Sequence, residues 1–291
     1  MRVVFLVLSV LIAVATLGGA AWLFLAGGDK PTEGACRPKT PEALVANVVS
    51  EVPHDPDAFT QGLDIDDEGR LWESTGLRGE SQVRLLDTDT GELLASSDLS
   101  EDLFGEGLTT TAAGELLQLT WTSGEALLWR PGEASEDPPS EEGTLEYRGE
   151  GWGITTLDDD YYAMSDGSAR LQFKDPEDFA TAGVMEVERK GGEADRLNEL
   201  EWDGTSLWAN RFQSDEILRI DLDCGVVDGV VDASNLVTSV SQQIQAAGLE
   251  RDLVSRDVLN GIAWLGPDSP DRYYVTGKRW PVMYEVSFEP A

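Results

Sequence analysis

The sequence is poor in the groups that hydrolytic, metal and phosphate chemistry usually require. Its 291 residues include one histidine, His54, and two cysteines, Cys36 and Cys224, far apart in the chain. A Ser-His-Asp hydrolase needs a histidine base beside its nucleophile, and His54 lies in "HDPDAF", ahead of the repeats described below. No cluster of His and Cys has zinc-ligand spacing. No glycine-rich loop leads into a helix to cradle phosphate, because "GEGWGI" opens a strand-like run instead. Positive charge is also scarce, with 21 Lys and Arg against 55 Asp and Glu and a formal net charge of -34. A surface of that sign repels phosphate backbones and anionic membranes, so nucleic acid is not an expected partner. The acidic excess serves solubility or a salty habitat and identifies no substrate.

One long apolar run is present, "MRVVFLVLSVLIAVATLGGAAWLFLAGG" at residues 1–28. A helix of about 20 residues crosses roughly 30 Å of hydrocarbon, so the run is long enough for a membrane anchor. The small residues at Gly18 to Ala21 also suit a cleaved signal segment. Either reading sends the rest of the chain out of the cytoplasm, anchored or secreted, with membrane contact through this segment only. Residues 29–43 read as a linker and 44–291 as the folded domain. In an oxidising compartment Cys36 and Cys224 can pair; otherwise they are two separate thiols.

From Gln61 onward one pattern recurs five times: "QGLDIDDEGRLWEST", "EGLTTTAAGELLQLTW", "WGITTLDDDYYAMSD", "NELEWDGTSLWANRF" and "NGIAWLGPDSPDRYYVTGK". Each copy is a strand of alternating apolar residues, a turn rich in Asp, Gly or Pro, and a second strand. Third strands follow, as in "SQVRLLDTDTGELL" and "DEILRIDLDCGVV". The markers Gly62, Gly107, Gly153, Glu199 and Gly261 are spaced by 45, 46, 46 and 62 residues. A period in the forties built of strands predicts an all-β, five-bladed β-propeller. In the longer last gap, Leu236, Val240 and Ile244 recur at helical spacing, predicting a short helical insertion in the fourth blade. Closure is expected to pair residues 44–52 with the final "PVMYEVSFEP", which removes exposed strand edges. "RPGEASEDPPSEEG", residues 130–143, reads as a disordered surface loop.

The residues before the five markers are Gln61, Glu106, Trp152, Asn198 and Asn260. Five blades about one axis bring them to one mouth of the central channel. Strand capping is the alternative for any one of them, yet four polar residues and an indole at equivalent places suit an asymmetric ligand better than a repeated structural role. The ends of the second strands add Glu73, Trp121, Asp166, Asn210 and Lys278.

The motifs "HDPDAFTQGL", "ESTGLRGESQVR", "FGEGLT", "QLTW", "EGWGIT", "MSDGS", "LNELE", "WANRFQSDEILRID", "VLNGIAW" and "VTGKRWP" together resemble the plant and bacterial type of glutaminyl-peptide cyclotransferase, a family of five-bladed β-propellers. The resemblance runs over roughly residues 48–288. It implies conversion of the N-terminal glutaminyl residue of a peptide or protein to pyroglutamate with release of ammonia, without metal or other cofactor, by an enzyme expected to be monomeric. It also implies that Glu106 is the proton shuttle, that Gln61, Asn198 and Lys278 orient the substrate, and that Trp121 and Trp152 enclose it, with Asn260 as a further ring residue. The family commonly has "WANVWQSD" where this chain has "WANRFQSD". Phe212 therefore stands in place of an indole and supplies an apolar wall without a donor. A propeller that only binds peptide N-termini, and a metal-dependent propeller hydrolase using Glu73 and Asp166 beside Glu106, are the competing readings.

Overall fold

The computed structural model describes Cys36 and residues 39–158 and 161–291. The expected anchor or signal segment, 1–28, lies outside the described residues; among these, no helix is long and apolar enough to cross a membrane. Among the described residues the architecture is all-β, with 22 strands and one helix. β1 (Glu42–Pro53) is followed by four-stranded antiparallel meanders. The first is β2 (Thr60–Ile65), β3 (Leu71–Thr75), β4 (Gln82–Leu86) and β5 (Leu93–Asp98). The second is β6 (Gly105–Thr110), β7 (Leu116–Thr120), β8 (Glu125–Arg130) and β9 (Ser140–Glu146). The third is β10 (Ile154–Leu157), β11 (Tyr161–Ser165), β12 (Arg170–Lys174) and β13 (Thr181–Glu186). A small hairpin, β14 (Glu188–Arg189) and β15 (Gly192–Glu193), precedes the fourth, β16 (Leu197–Trp202), β17 (Leu207–Arg211), β18 (Glu216–Asp221) and β19 (Val226–Asp232). Helix α1 (Ser234–Ala247) lies after the complete fourth meander, in the connection to the fifth rather than within the fourth as expected, and leads to β20 (Leu259–Trp264), β21 (Tyr273–Gly277) and β22 (Val282–Pro290).

The last three strands lack a fourth of their own, and β1 supplies it by pairing antiparallel with β22 from Leu44↔Pro290 to Pro53↔Val282. This is the closure expected from the sequence. β1 begins at Glu42, inside the stretch read as linker, and its first residues also pair parallel with β19, Glu42↔Gly229 to Val45↔Asp232. The stretch 130–143 is less irregular than expected: Arg130 pairs with Ser140 and Trp129 with Glu141 in the β8–β9 ladder, leaving only the tip as a loop.

Every pair of neighbouring meanders shares an apolar core. Trp72, Val83 and Leu85 meet Leu108, Leu116 and Trp129; Leu117 and Leu119 meet Ile154, Tyr162 and Met164; Leu157 and Leu171 meet Leu200 and Leu218. Trp208 and Ile217 meet Ile262, Tyr273 and Tyr284, and the buried face of α1, Leu236, Val240 and Ile244, completes that layer. Ala263, Tyr274 and Met283 return to Leu63 and Leu71 of the first meander. The packing of β2, β6, β10, β16 and β20 therefore closes on itself.

The marker glycines exist because these first strands approach one another closely. A methyl group on Gly62 would come 2.5 Å from Leu108 N, and one on Gly107 would come 2.7 Å from Gly153 Cα. The fourth marker breaks the rule productively. Glu199 is fully buried, and its carboxylate accepts from Leu63 N (3.3 Å) and Ile262 N (3.0 Å), tying β16 to β2 and β20 where backbone contact would otherwise serve.

Cys36 and Cys224 form a disulfide, 188 residues apart, that pins the segment before β1 to the turn between β18 and β19. Cross-links closing long loops stabilise mainly by restricting the unfolded chain. Reduction, or Cys224→Ala, is expected to lower the unfolding free energy by about 2–4 kcal/mol. Urea denaturation with and without reductant measures this, and an unmoved midpoint contradicts it.

Candidate active site

Four first strands carry a register irregularity at the ring residues: between Thr60 and Gly62, Gly105 and Leu108, Leu197 and Leu200, and Leu259 and Ile262. A bulge leaves a residue unpaired and re-aims its side chain. It thus frees Gln61, Glu106, Asn198 and Asn260 from the alternation that would otherwise send neighbouring side chains to opposite faces. Trp152 precedes β10, held by Trp152 N donating to Ser165 O (3.1 Å), while its carbonyl accepts from Gly107 N (2.7 Å), next to Glu106.

Three of the amide residues and the lysine form one chain. Asn198 Nδ2 donates to Asn260 Oδ1 (2.7 Å), and Asn260 Nδ2 donates to Thr60 O (3.1 Å) and Gln61 O (3.2 Å), with Gln61 Oε1 at 3.5 Å. Lys278 Nζ donates to Gln61 Oε1 (2.5 Å). Because an ammonium only donates, Lys278 fixes the Gln61 carboxamide with its oxygen toward the lysine and its NH2 free of protein partners among the described residues.

Glu106 is 6% exposed and Lys278 4%. Among the described residues no hydrogen bond reaches the Glu106 carboxyl. Burial pushes its pKa up to about 8; Lys278 pulls against that shift and Glu150 adds to it. Burial likewise pushes Lys278 down to about 8, opposed by Glu106. The Lys278 ammonium also faces the rings of Phe59 (5.0 Å) and Phe212 (5.4 Å).

The walls are aromatic. Phe59 packs edge-on against Phe104 (6.2 Å) and Phe104 against Trp121 (5.7 Å). Trp152 meets Phe212 edge-on at 5.4 Å, so Phe212 does serve as a wall, fixed by Phe212 N donating to Arg196 O (2.8 Å). Its neighbour Arg211 is held by Asp195 Oδ1 (2.7 Å) and Glu216 Oε2 (3.2 Å). Phe59 and Phe104 were not among the residues singled out from the sequence, although both stand two positions ahead of a ring residue, in "FTQG" and "FGEG". Glu150 was also missed: its Oε2 accepts from both Trp121 Nε1 (2.8 Å) and Trp152 Nε1 (2.9 Å).

Three second-strand candidates do other work. Glu73 is held by His54 Nε2 (2.9 Å) and Thr60 Oγ1 (2.7 Å) and faces Arg84. Asp166 closes its own turn on Ser168 N (3.1 Å), and Asn210 Oδ1 accepts from Gly261 N (2.8 Å). Neither Glu73 nor Asp166 is therefore available beside Glu106 as a ligand set, and among the described residues no group of three or more His, Cys, Asp or Glu is arranged to hold a metal ion.

Comparison with known proteins shows the family. The family model for glutamine cyclotransferase matches residues 21–288. The glutaminyl-peptide cyclotransferase of Arabidopsis thaliana is 34% identical over 285 residues, 97% of this chain and 84% of that protein. The crystal structure of Myxococcus xanthus glutaminyl cyclase superposes with a TM-score of 0.76 at 34% identity, over 86% of this chain and 99% of the other. The chain belongs to the glutamine cyclotransferase family.

Proposed function

We propose that this protein is a glutaminyl-peptide cyclotransferase whose five meanders are the blades of a β-propeller, with the reaction carried out by Glu106 at one mouth of the central channel. The observation that carries the assignment is Glu106 itself. It is a buried carboxyl without a hydrogen-bond partner among the described residues, facing one lysine whose ammonium lies against the rings of Phe59 and Phe212.

Cyclisation joins the substrate's α-nitrogen to its own Cδ and breaks the bond from Cδ to the side-chain NH2. The α-nitrogen must lose a proton and the departing NH2 must gain one, so one carboxylate that accepts and then returns a proton balances the reaction. A free α-ammonium has a pKa of about 7.7–8.0, and burial raises Glu106 to about 8, so near that pH a neutral α-amine and an ionised Glu106 are present together. Lys278 Nζ and the free NH2 of Gln61 are the donors suited to the carboxamide oxygen as negative charge develops there, and Asn260 and Asn198 brace Gln61. The walls Phe59, Phe104, Trp121, Trp152 and Phe212 exclude water, which favours ring closure over hydrolysis. The Cys36–Cys224 disulfide supports an extracytoplasmic location.

Activity requires Glu106 ionised and Lys278 charged. Both groups titrate near 8, so kcat/KM is expected to rise with pH on an acid limb from Glu106, sharpened by the substrate's own ammonium, and to fall on an alkaline limb from Lys278. The profile is a narrow bell about pH 8. Lys278→Met should remove the alkaline limb; an alkaline limb unchanged in that variant refutes the assignment to Lys278.

A further inference from the structure

Two of the enclosing indoles are not held by packing alone. Trp121 follows β7 and Trp152 precedes β10, on different meanders, and each donates its only side-chain hydrogen-bond proton to the same oxygen of Glu150. Glu150 lies in the connection between β9 and β10, at the exposed rim, so its carboxylate spans the seam between the second and third meanders at the site's entrance. Neither indole nitrogen has another partner among the described residues. Their other contacts are Phe104 and the Arg78 guanidinium at Trp121, and Phe212 and the backbone of Gly167 at Trp152; none of these joins the two indoles to one another.

We propose that Glu150 is a positioning residue for the cyclisation site, its Oε2 gathering the two indole N–H groups so that the walls above Glu106 stand at the separation a glutaminyl side chain fills. This rests on the cyclotransferase reading of the site. A single acceptor shared by two donors fixes both rings relative to one another. Losing it frees both at once, and near-attack geometry is sensitive to displacements of about 1 Å. The charge acts as well, because Glu150 lies within electrostatic reach of Glu106 and opposes its ionisation. The other groups facing Glu106 are Lys278, whose charge favours ionisation, and the Tyr147 phenol, which donates to Thr120 O.

Glu150→Ala and Glu150→Gln separate the two effects, since the amide oxygen of Gln can still accept both N–H groups but carries no charge. In the purified full chain, Glu150→Ala is expected to raise KM for a Gln-initiated peptide roughly tenfold with a smaller change in kcat, and Glu150→Gln to recover most of that loss. In both variants the acid limb of kcat/KM should move to lower pH, because removing a negative neighbour makes Glu106 easier to ionise. A second readout does not depend on turnover: the indole N–H resonances of Trp121 and Trp152, assigned with Trp121→Phe and Trp152→Phe, should shift in Glu150→Ala and stay near their wild-type positions in Glu150→Gln. A chain that releases no ammonia yet shows these shifts overturns the reaction while keeping the positioning role. Wild-type KM in Glu150→Ala, or indole resonances unmoved by it, overturns the positioning role itself.

Discussion

Replacing Glu106 by Gln is expected to lower kcat/KM by on the order of 10³, within the range general acid–base catalysis supplies, while leaving the fold intact. The amide has nearly the shape of the carboxyl and occupies the same pocket, but it neither accepts the proton of the α-nitrogen nor delivers one to departing ammonia. Stability provides the control that separates lost chemistry from lost structure. Glu106 has a folded pKa of about 8 against an ordinary value of 4.5. Between those pH values the folded state binds more protons than the unfolded one, so the wild type loses stability as pH rises from about 4.5 to about 8. Glu106→Gln lacks this loss and should therefore melt at a higher temperature than wild type at pH 8. The advantage should shrink toward pH 4.5, where the wild-type carboxyl is protonated in the folded state. Such an exchange of stability for activity is common where a buried group exists for chemistry. An inactive variant that melts lower than wild type at pH 8 indicates damage to the fold instead.

Glu73→Ala is expected to have the largest effect on stability, about 3–5 kcal/mol, because it strands two buried cations. Glu73 is 0% exposed and accepts from His54 and Thr60, with Arg84 Nη1 at 3.3 Å from its other oxygen. Both ring nitrogens of His54 face acceptors, Glu73 Oε1 at 2.9 Å and Trp280 O at 2.8 Å, an arrangement that suits an imidazolium donating twice. Burial alone would push His54 down, but the charge and hydrogen bond of Glu73 and the Trp280 carbonyl outweigh it, and its pKa is raised above 6.5. Burial would push Glu73 up, yet His54, Arg84 and Thr60 hold it below 4.5.

The His54 contribution is therefore fully present below pH 6.5 and lost as pH rises through its raised folded value. The Glu73 contribution is present above pH 4.5 and lost as pH falls through its lowered folded value. The pair is at full strength between these limits. Urea denaturation at pH 5.5 tests the size of the effect, and a loss under about 1 kcal/mol argues that the network relaxes without cost. The network matters to the site because its ends are Thr60, beside Gln61, and Trp280, two residues from Lys278.

What the sequence reveals and what it hides divide along physical lines. The marker spacing, the closing strand and the α1 stripe of Leu236, Val240 and Ile244 are periodic signals, and all three are found at the expected residues. Gln61, Asn198 and Asn260 come together because they occupy equivalent places on the first strands of their repeats, and Lys278 joins them from the end of the last repeat's second strand. Glu73 looked like another member of that ring, but its partners come from "HDPDAF" and from β4, and only the register Glu73↔Arg84 reveals the second. Glu199 occupies a glycine's place for a reason invisible in one dimension, since the N–H donors it accepts from, Leu63 N and Ile262 N, lie on β2 and on the neighbouring β20. Glu150 gives no periodic signal at all. Its role depends on Trp121, a residue 29 positions away on the preceding meander.

The most direct test of the central claim is the mass of a Gln-initiated peptide after incubation with the full chain at pH 8, beside ammonia released into solution. A product lighter by one ammonia, formed one-for-one with free ammonia by the wild type and not by Glu106→Gln, is the expected result. A peptide that is bound but unchanged in mass, or equal turnover by the two proteins, contradicts it.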